Sequence, residues 1–418
     1  MDDTIIFNMR NLVSGDLNHP LLDADCILIR DGKIAEIGKK RDIDTGNAAQ
    51  HIDANGMTVI PGLIDPHLHT LIGDWSQISR CIGYLEAMLL AGTTTVISQG
   101  DCATAGLRED DPAAVKALAI LGARTYKNYK PGGALKVHGG GVMLVNGFTE
   151  KDIKEMHDAG CRMVAEIGGW GAYKYNDIKD MLGWARKYNM ITSMHYAPTC
   201  IPGSAPLGTD EALQIKPDIV AHVNATGVGG GEGLGIEAVG RLIKETKYFI
   251  EFIMVSANYK IGLEMVNILK ERDELSRLVI GSDSPIGTGL LPSAILRGIT
   301  FISSMNEIPA EKAIAFGTGN NAKAYRLNTG MIEVGREADI LVIDAPSGSK
   351  YDALKAMEHG DLCGTAMIMV DGKIVAFRGR DTRPIEKGIK INGIEHKPWK
   401  SFEDYLFGPS EYELGKIV

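Results

Sequence analysis

The sequence predicts an α/β protein, a (β/α)8 TIM-like barrel carrying a small β-sandwich domain built from both termini. Three observations carry that expectation. Between residues 60 and 330, short apolar runs alternate with longer helical patterns, the signature of βα units on a parallel sheet. Both ends of the chain are rich in β-prone residues. Each end also holds an Asp-Gly pair between two such runs.

The N-terminal strands come first. Cys26-Ile27-Leu28-Ile29-Arg30 runs into Asp31-Gly32 and then Ile34-Ala35-Glu36-Ile37. Asp-Gly between β-prone runs predicts a type I′ hairpin, because both central residues must take positive φ. Ala366-Met367-Ile368-Met369-Val370, Asp371-Gly372 and Ile374-Val375-Ala376 repeat the pattern, preceded by the run 338–344. Residues 1–60 and 330–385 are therefore assigned to the sandwich, and 61–329 to the barrel. The eight barrel strands are expected at 58–63, 93–97, 135–138, 163–167, 191–195, 218–222, 248–252 and 278–283, with helices between them, for example at 178–188 and 236–246. The remaining stretch, 386–418, carries Trp399, Phe402, Tyr405 and Phe407 among charges. It is read as a C-terminal tail that either contacts another subunit or closes the fold.

Composition narrows the function. With 418 residues, 44% hydrophobic and 23% charged, the chain fills a large core, which excludes a mainly disordered protein. A net charge of −9 argues against nucleic acid or an acidic membrane as a partner. No run of apolar residues is long enough for a transmembrane helix, and Met1-Asp2-Asp3-Thr4 does not open a signal peptide. The six cysteines are scattered singly, as reduced thiols of a cytoplasmic protein are. The triplets Gly139-Gly140-Gly141 and Gly229-Gly230-Gly231 lack the Lys-Ser/Thr of a phosphate loop, so they are read as barrel loops.

Chemistry concentrates at the expected strand ends. Of ten histidines, His67, His69, His138, His195 and His222 stand at or just past a strand. In Pro66-His67-Leu68-His69 the two imidazoles lie two residues apart, on one side of an extended chain, and so face one metal. Imidazole suits zinc, iron or nickel. His195 ends 191–195, His222 ends 218–222, Glu166 follows Met163-Val164-Ala165, and Asp283 follows Val279-Ile280-Gly281-Ser282. A carboxylate closing an apolar run is costly when buried alone, and a cation relieves that cost.

This ordered set resembles the amidohydrolase superfamily of metal-dependent hydrolases. The superfamily pattern is HxH after the first strand, a bridging carboxylate after the fourth, histidines after the fifth and sixth, and Asp after the eighth. Glu166-Ile167-Gly168, Lys216-Pro217-Asp218-Ile219-Val220-Ala221-His222-Val223-Asn224 and Gly281-Ser282-Asp283-Ser284-Pro285 are similar to its enamidase branch, binuclear enzymes that open a cyclic enamide. The resemblance implies two divalent metal ions, zinc and/or iron. It implies that His67 and His69 hold one ion near Asp283, that His195 and His222 hold the other, and that Glu166 bridges them. Lys136 is the poorer bridge, since many relatives use a carbamylated lysine but on a later strand. Asp283 would act as general base and then acid. The implied reaction is hydrolysis of a cyclic amide C–N bond in a small molecule. A homo-oligomer, for which a tetramer is plausible, would be usual for the family.

Barrel-mouth loops line the substrate pocket in this fold. On that ground His138, Trp170, Tyr173, Tyr196 and Asn224 are candidate substrate contacts. The loops after His195 and His222 depart from the enamidase pattern, which leaves the ring and its substituents open. Three other readings stay open. A deaminase of an amino-heterocycle is disfavoured because Ala197 stands where an acid is expected. An N-acyl amino acid or dipeptide hydrolase differs only in pocket shape. A non-catalytic scaffold is disfavoured because every ligand position is filled.

Overall fold

A computed structural model describes the chain except for residues 1–2, 47, 70–74, 102–103, 105, 128–134, 200–202, 227–232, 286–288, 381 and 397–418. The aromatic residues of the tail and Cys200 lie outside the described residues. Among the described residues no helix is long and apolar enough to cross a membrane.

Eight parallel strands carry the site. They are Leu63–Leu68, Thr93–Ser98, Lys136–His138, Met163–Ile167, Ile191–His195, Ile219–Ala221, Phe249–Ile253 and Leu278–Gly281. The first three pair as one sheet and the last five as another. A parallel bridge between Val142 and Val164 joins the two sheets on one side, and one between Leu68 and Ser284 joins them on the other. The eight therefore follow one another in cyclic order, with all their C-terminal ends at one mouth. Helices occupy the connections, including Tyr175–Lys187 and Gly235–Glu245. Glu150–Ala159 shows why one such segment is helical. Thr149 and Asp152 form a reciprocal capping box, Gly160 ends the helix at φ 116°, and Ile153 and Met156 face the core.

The expected strand 58–63 is in fact two. Thr58–Pro61 pairs with Ile340–Asp344 in a terminal sheet, while Leu63–Leu68 begins the parallel set. Gly62 marks the break. A Cβ there would fall 2.2 Å from Thr94 Oγ1, so only glycine lets the chain cross at this point. His67 therefore lies inside the first parallel strand rather than after it.

The two termini build two sheets. One runs, in order, through Ile394–His396, Ile389–Ile391, Gln50–Asp53, Thr4–Phe7, Cys26–Arg30 and Lys33–Gly38. The other runs through Lys373–Ala376, Gly364–Val370, Ile340–Asp344, Thr58–Pro61 and Asn11–Leu12. Ile6, Ile27 and Ile52 from the first pack with Val59, Ile340, Val342 and Met367 from the second in one apolar cluster. Both Asp-Gly turns adopt the positive φ they require, +51° and +76° at Asp31-Gly32, +49° and +71° at Asp371-Gly372. They also abut, since a Cβ on Gly32 would lie 2.9 Å from the carbonyl oxygen of Asp371.

Residues 389–396 correct the assignment of everything after 385 to a tail. They form a hairpin on the edge of the six-stranded sheet, turning at Asn392-Gly393 with φ of +49° and +86°. Lys136 is likewise placed away from the mouth. Its ammonium lies 2.9 Å from Asp339 Oδ2 and 2.7 Å from Asp371 Oδ1, and also meets Glu337. It ties the start of the third parallel strand to the terminal sheets and has no part in bridging the histidines.

Candidate metal centre

Six of the residues singled out in the sequence converge at the mouth of the parallel strands. Glu166, at the end of the fourth, stands in the middle. Its Oε1 lies 2.9 Å from His195 Nδ1 and also meets His222 Nε2. Its Oε2 lies 3.6 Å from His67 Nε2 and 3.7 Å from His69 Nε2. One carboxylate thus turns one oxygen to each pair of imidazoles. Asp283 Oδ1 approaches the first pair from the eighth strand, at 3.5 Å from His67 Nε2 and 3.3 Å from His69 Nε2. The imidazoles of His67 and His222 lie 5.4 Å apart, and those of His195 and His222 4.8 Å apart.

Local backbone geometry aims these groups. His222 and Asp283 both sit at positive φ, +35° and +55°. Left-handed backbone is strained for a side-chain-bearing residue and persists where its surroundings hold it. The Asp283 N–H donates to the His67 carbonyl at 2.9 Å, which locks the eighth strand's turn onto the first. Gly169 leaves room for the Glu166 carboxylate, since a Cβ there would sit 2.7 Å from Glu166 Oε2.

The electrostatics favour a cation. Burial raises the carboxyl of Glu166, but His222, His195 and His67 overrule it and hold it well below the usual carboxylate range. Burial likewise raises Asp283, and His67, His69 and His222 pull it down. Three buried ring nitrogens, His67 Nε2, His195 Nε2 and His222 Nδ1, have no hydrogen-bond partner. An unpartnered buried acceptor is expensive; His67 Nε2 faces both carboxylates, where a metal ion would satisfy it, whereas His195 and His222 turn their other ring nitrogens, Nδ1 and Nε2, to Glu166. Two overlapping groups of ligand atoms lie close enough to hold an ion, His67-His69-Asp283 and His67-Glu166-His222, with His67 common to both. The donor set of imidazoles and carboxylates fits divalent transition metals.

The remaining candidates divide. His138 stands exposed at the end of the third strand, and Trp170 and Tyr173 are half-buried in the segment after Glu166. Tyr196 is instead 1% exposed, and its hydroxyl meets Thr209 Oγ1 at 3.0 Å. Burial pushes its phenol up to about 12. It packs behind the fifth strand, among core residues. Asn224 is fully buried, its Nδ2 donating to the Ile253 carbonyl at 3.0 Å and its Oδ1 accepting from the Ile253 N–H at 2.9 Å. It extends the pairing of sixth and seventh strands. The polar atoms of Tyr196 and Asn224 are thus bonded to the frame of the mouth.

Two buried carboxylates that bond to His67 escaped the sequence reading. Asp65, on the first strand, accepts at Oδ1 from the N–H groups of His67 and Ser282, each at 3.1 Å. Burial raises its carboxyl to about 7 against those hydrogen bonds. Glu251, in the middle of the seventh strand, accepts from His67 Nδ1 at 2.7 Å. The signal that could have found it is a lone acid in the apolar run Phe249-Ile250-Glu251-Phe252-Ile253.

Comparison with known proteins agrees with this geometry. A family model described as the amidohydrolase family matches residues 58–375. The chain is 39% identical over 392 residues to enamidase of Eubacterium barkeri, covering 94% of this chain and 100% of that protein. It is 33% identical over 165 residues to L-hydantoinase of Paenarthrobacter aurescens, covering 38% of this chain and 31% of that one. Its structure superposes on the crystal structure of enamidase with a TM-score of 0.85 at 38% identity, covering 93% of this chain and all of that one.

Proposed function

From the premise that this chain belongs to the amidohydrolase family, we propose that it opens a cyclic amide, a lactam or enamide, by hydrolysing its ring C–N bond. The observation that carries the reading is Glu166, which turns one oxygen toward His67 and His69 and the other toward His195 and His222. The cyclic strands are read as a (β/α)8 barrel over 61–329, and the terminal sheets as a β-sandwich domain. The enamidase and L-hydantoinase names supply the class of bond.

Residues His67, His69 and Asp283 would hold one divalent ion, and His195 and His222 a second, with Glu166 between them. Zinc and iron both suit these donors. When bound, such a pair acidifies a water and polarises an amide carbonyl. Asp283 then accepts the proton of the attacking water on its carboxylate and delivers it to the departing ring nitrogen. Its left-handed backbone, tied to His67, holds the carboxylate at the reacting centre. Trp170 and Tyr173 offer aromatic walls for a planar ring, and His138 a polar contact at the rim.

The test is elemental analysis of protein purified without oxygen or chelator, followed by a panel of lactams, enamides and cyclic imides with ring opening read by NMR. Two ions per chain and opening of at least one ring type are expected. Metal-loaded protein that opens no cyclic amide but releases ammonia from an amino-heterocycle would replace this reading with deamination.

A further inference from the structure

We propose that Glu251 is a positioning residue that couples the two histidine pairs, holding the ring of His67 and the backbone turn of His222 on one carboxylate oxygen. The inference rests on reading the cluster as a binuclear metal centre, and it adds a residue from a strand that contributes no ligand to that reading.

Three observations carry it. The first is the double contact. Glu251 Oε2 accepts from His67 Nδ1 at 2.7 Å and from the His222 N–H at 2.8 Å. A carboxylate against Nδ1 fixes the proton there, so the lone pair of His67 sits on Nε2, the nitrogen that faces Glu166 and Asp283. The His222 N–H belongs to a residue at φ +35°, beyond the last ladder pair of the sixth strand, and Glu251 takes the place of a ladder partner. The Glu251 backbone carbonyl also accepts from the Val223 N–H at 2.9 Å, so one residue grips both sides of that turn.

The second observation is the space made for this side chain. Gly281, on the eighth strand, faces it. A Cβ at Gly281 would lie 2.4 Å from Glu251 Oε1, 2.8 Å from its Cδ and 2.9 Å from His67 Cβ. The wall of the eighth strand has no side chain where the carboxylate and the imidazole meet.

The third is cost. Glu251 is fully buried, as are its strand neighbours Ile250, Phe252 and Ile253. A buried pair such as His67–Glu251 adds little net fold stability, since apolar residues in place of the whole pair often do as well or better. What the carboxylate adds is orientation. His67 belongs to the pair with His69, and His222 to the pair with His195. A group that anchored only His67 would matter to one ion. A group that anchors both matters to two.

The test compares the wild-type chain with Glu251→Gln and Glu251→Met. Each is prepared metal-free and titrated with zinc against a chromophoric chelator, and the metal-free melting temperature is read in parallel. Glutamine keeps an acceptor oxygen but loses the charge, and methionine loses both. Zinc affinity is expected to fall about tenfold in Glu251→Gln and up to about a hundredfold in Glu251→Met, at both sites. The metal-free melting temperature of Glu251→Gln should stay at the wild-type value. Wild-type affinity at either site in both variants overturns the coupling. Failure of metal-free Glu251→Gln to fold also overturns it, because the carboxylate would then be a requirement of the fold. A wild-type chain that binds no zinc or iron defeats the metal reading itself, and this inference with it.

Discussion

The ammonium of Lys136 lies 2.9 Å from Oδ2 of Asp339, whose side chain is fully buried. The pair joins the third parallel strand to the terminal sheets, at the end opposite the histidines. Burial disfavours the ammonium, yet the three carboxylates around it raise its pKa above the ordinary lysine range. Removing one partner of a buried pair costs about 3–5 kcal/mol, because the other charge is left without compensation. Lys136→Met should therefore lower stability toward urea by a few kcal/mol while metal content per chain stays unchanged. A metal loss in a variant of normal stability would return Lys136 to the bridge.

Asp283 and Glu166 should separate chemistry from metal binding. Asp283→Asn is expected to keep at least the ion held by His195 and His222, and to lose roughly a hundred- to ten-thousandfold in kcat. Glu166→Ala should lose metal as well as activity. Elemental analysis beside steady-state rates distinguishes the two. Removal of the ions with a chelator should abolish ring opening, and zinc or ferrous iron should restore it.

Tyr196→Phe tests the placement of that ring behind the fifth strand. The hydroxyl bonds Thr209, so its loss should cost about 1 kcal/mol of stability and leave KM unchanged. A rise in KM of tenfold or more in a stable variant would put the phenol in the substrate pocket.

Glu274 gives the acid limb of stability. Burial raises its carboxyl, but hydrogen bonds from Lys247, Arg277 and Arg272 bring it from 4.5 down to about 2. A depressed carboxylate stabilises the folded chain above the unfolded pKa, and the contribution disappears as pH falls through the folded one. Glu274→Gln should cost about 2–3 kcal/mol at pH 7. The gap between variant and wild type should narrow between pH 4.5 and 2, read by denaturant unfolding at a series of pH values.

The six residues that cluster at the mouth were legible because each lies in or at the end of an apolar run. Strand periodicity alone places His67 and His69 on one side of an extended chain. The Asp-Gly turns were legible for an equally local reason, their demand for positive φ. What the sequence withheld depends on registry between distant strands. Asn224 reads as a candidate substrate contact in sequence, while in the fold Ile253, on the next strand, binds both ends of its amide. Glu251 reads as one acid in an apolar strand, and its partner His67 lies 184 residues away. The split at Gly62 depends on Thr94 lying against it. The hairpin at 389–396 was within reach, because Asn392-Gly393 is as strong a turn signal as the two that were read.

The contact between the Asp31-Gly32 and Asp371-Gly372 turns has a consequence for biosynthesis. More than 300 residues separate them along the chain. At about 5–20 residues per second, the ribosome delivers the second turn tens of seconds after the first. Until Ile340–Asp344 and Gly364–Val370 are made, only Asn11–Leu12 and Thr58–Pro61 of the opposing sheet are there to cover Ile6, Ile27, Ile29 and Ile52. The parallel strands can assemble while they wait, but the apolar face of the first strands made is among the last surfaces to close. A chain stalled before Ile340 would carry much of that face uncovered, and that is where chaperones and proteases would meet it.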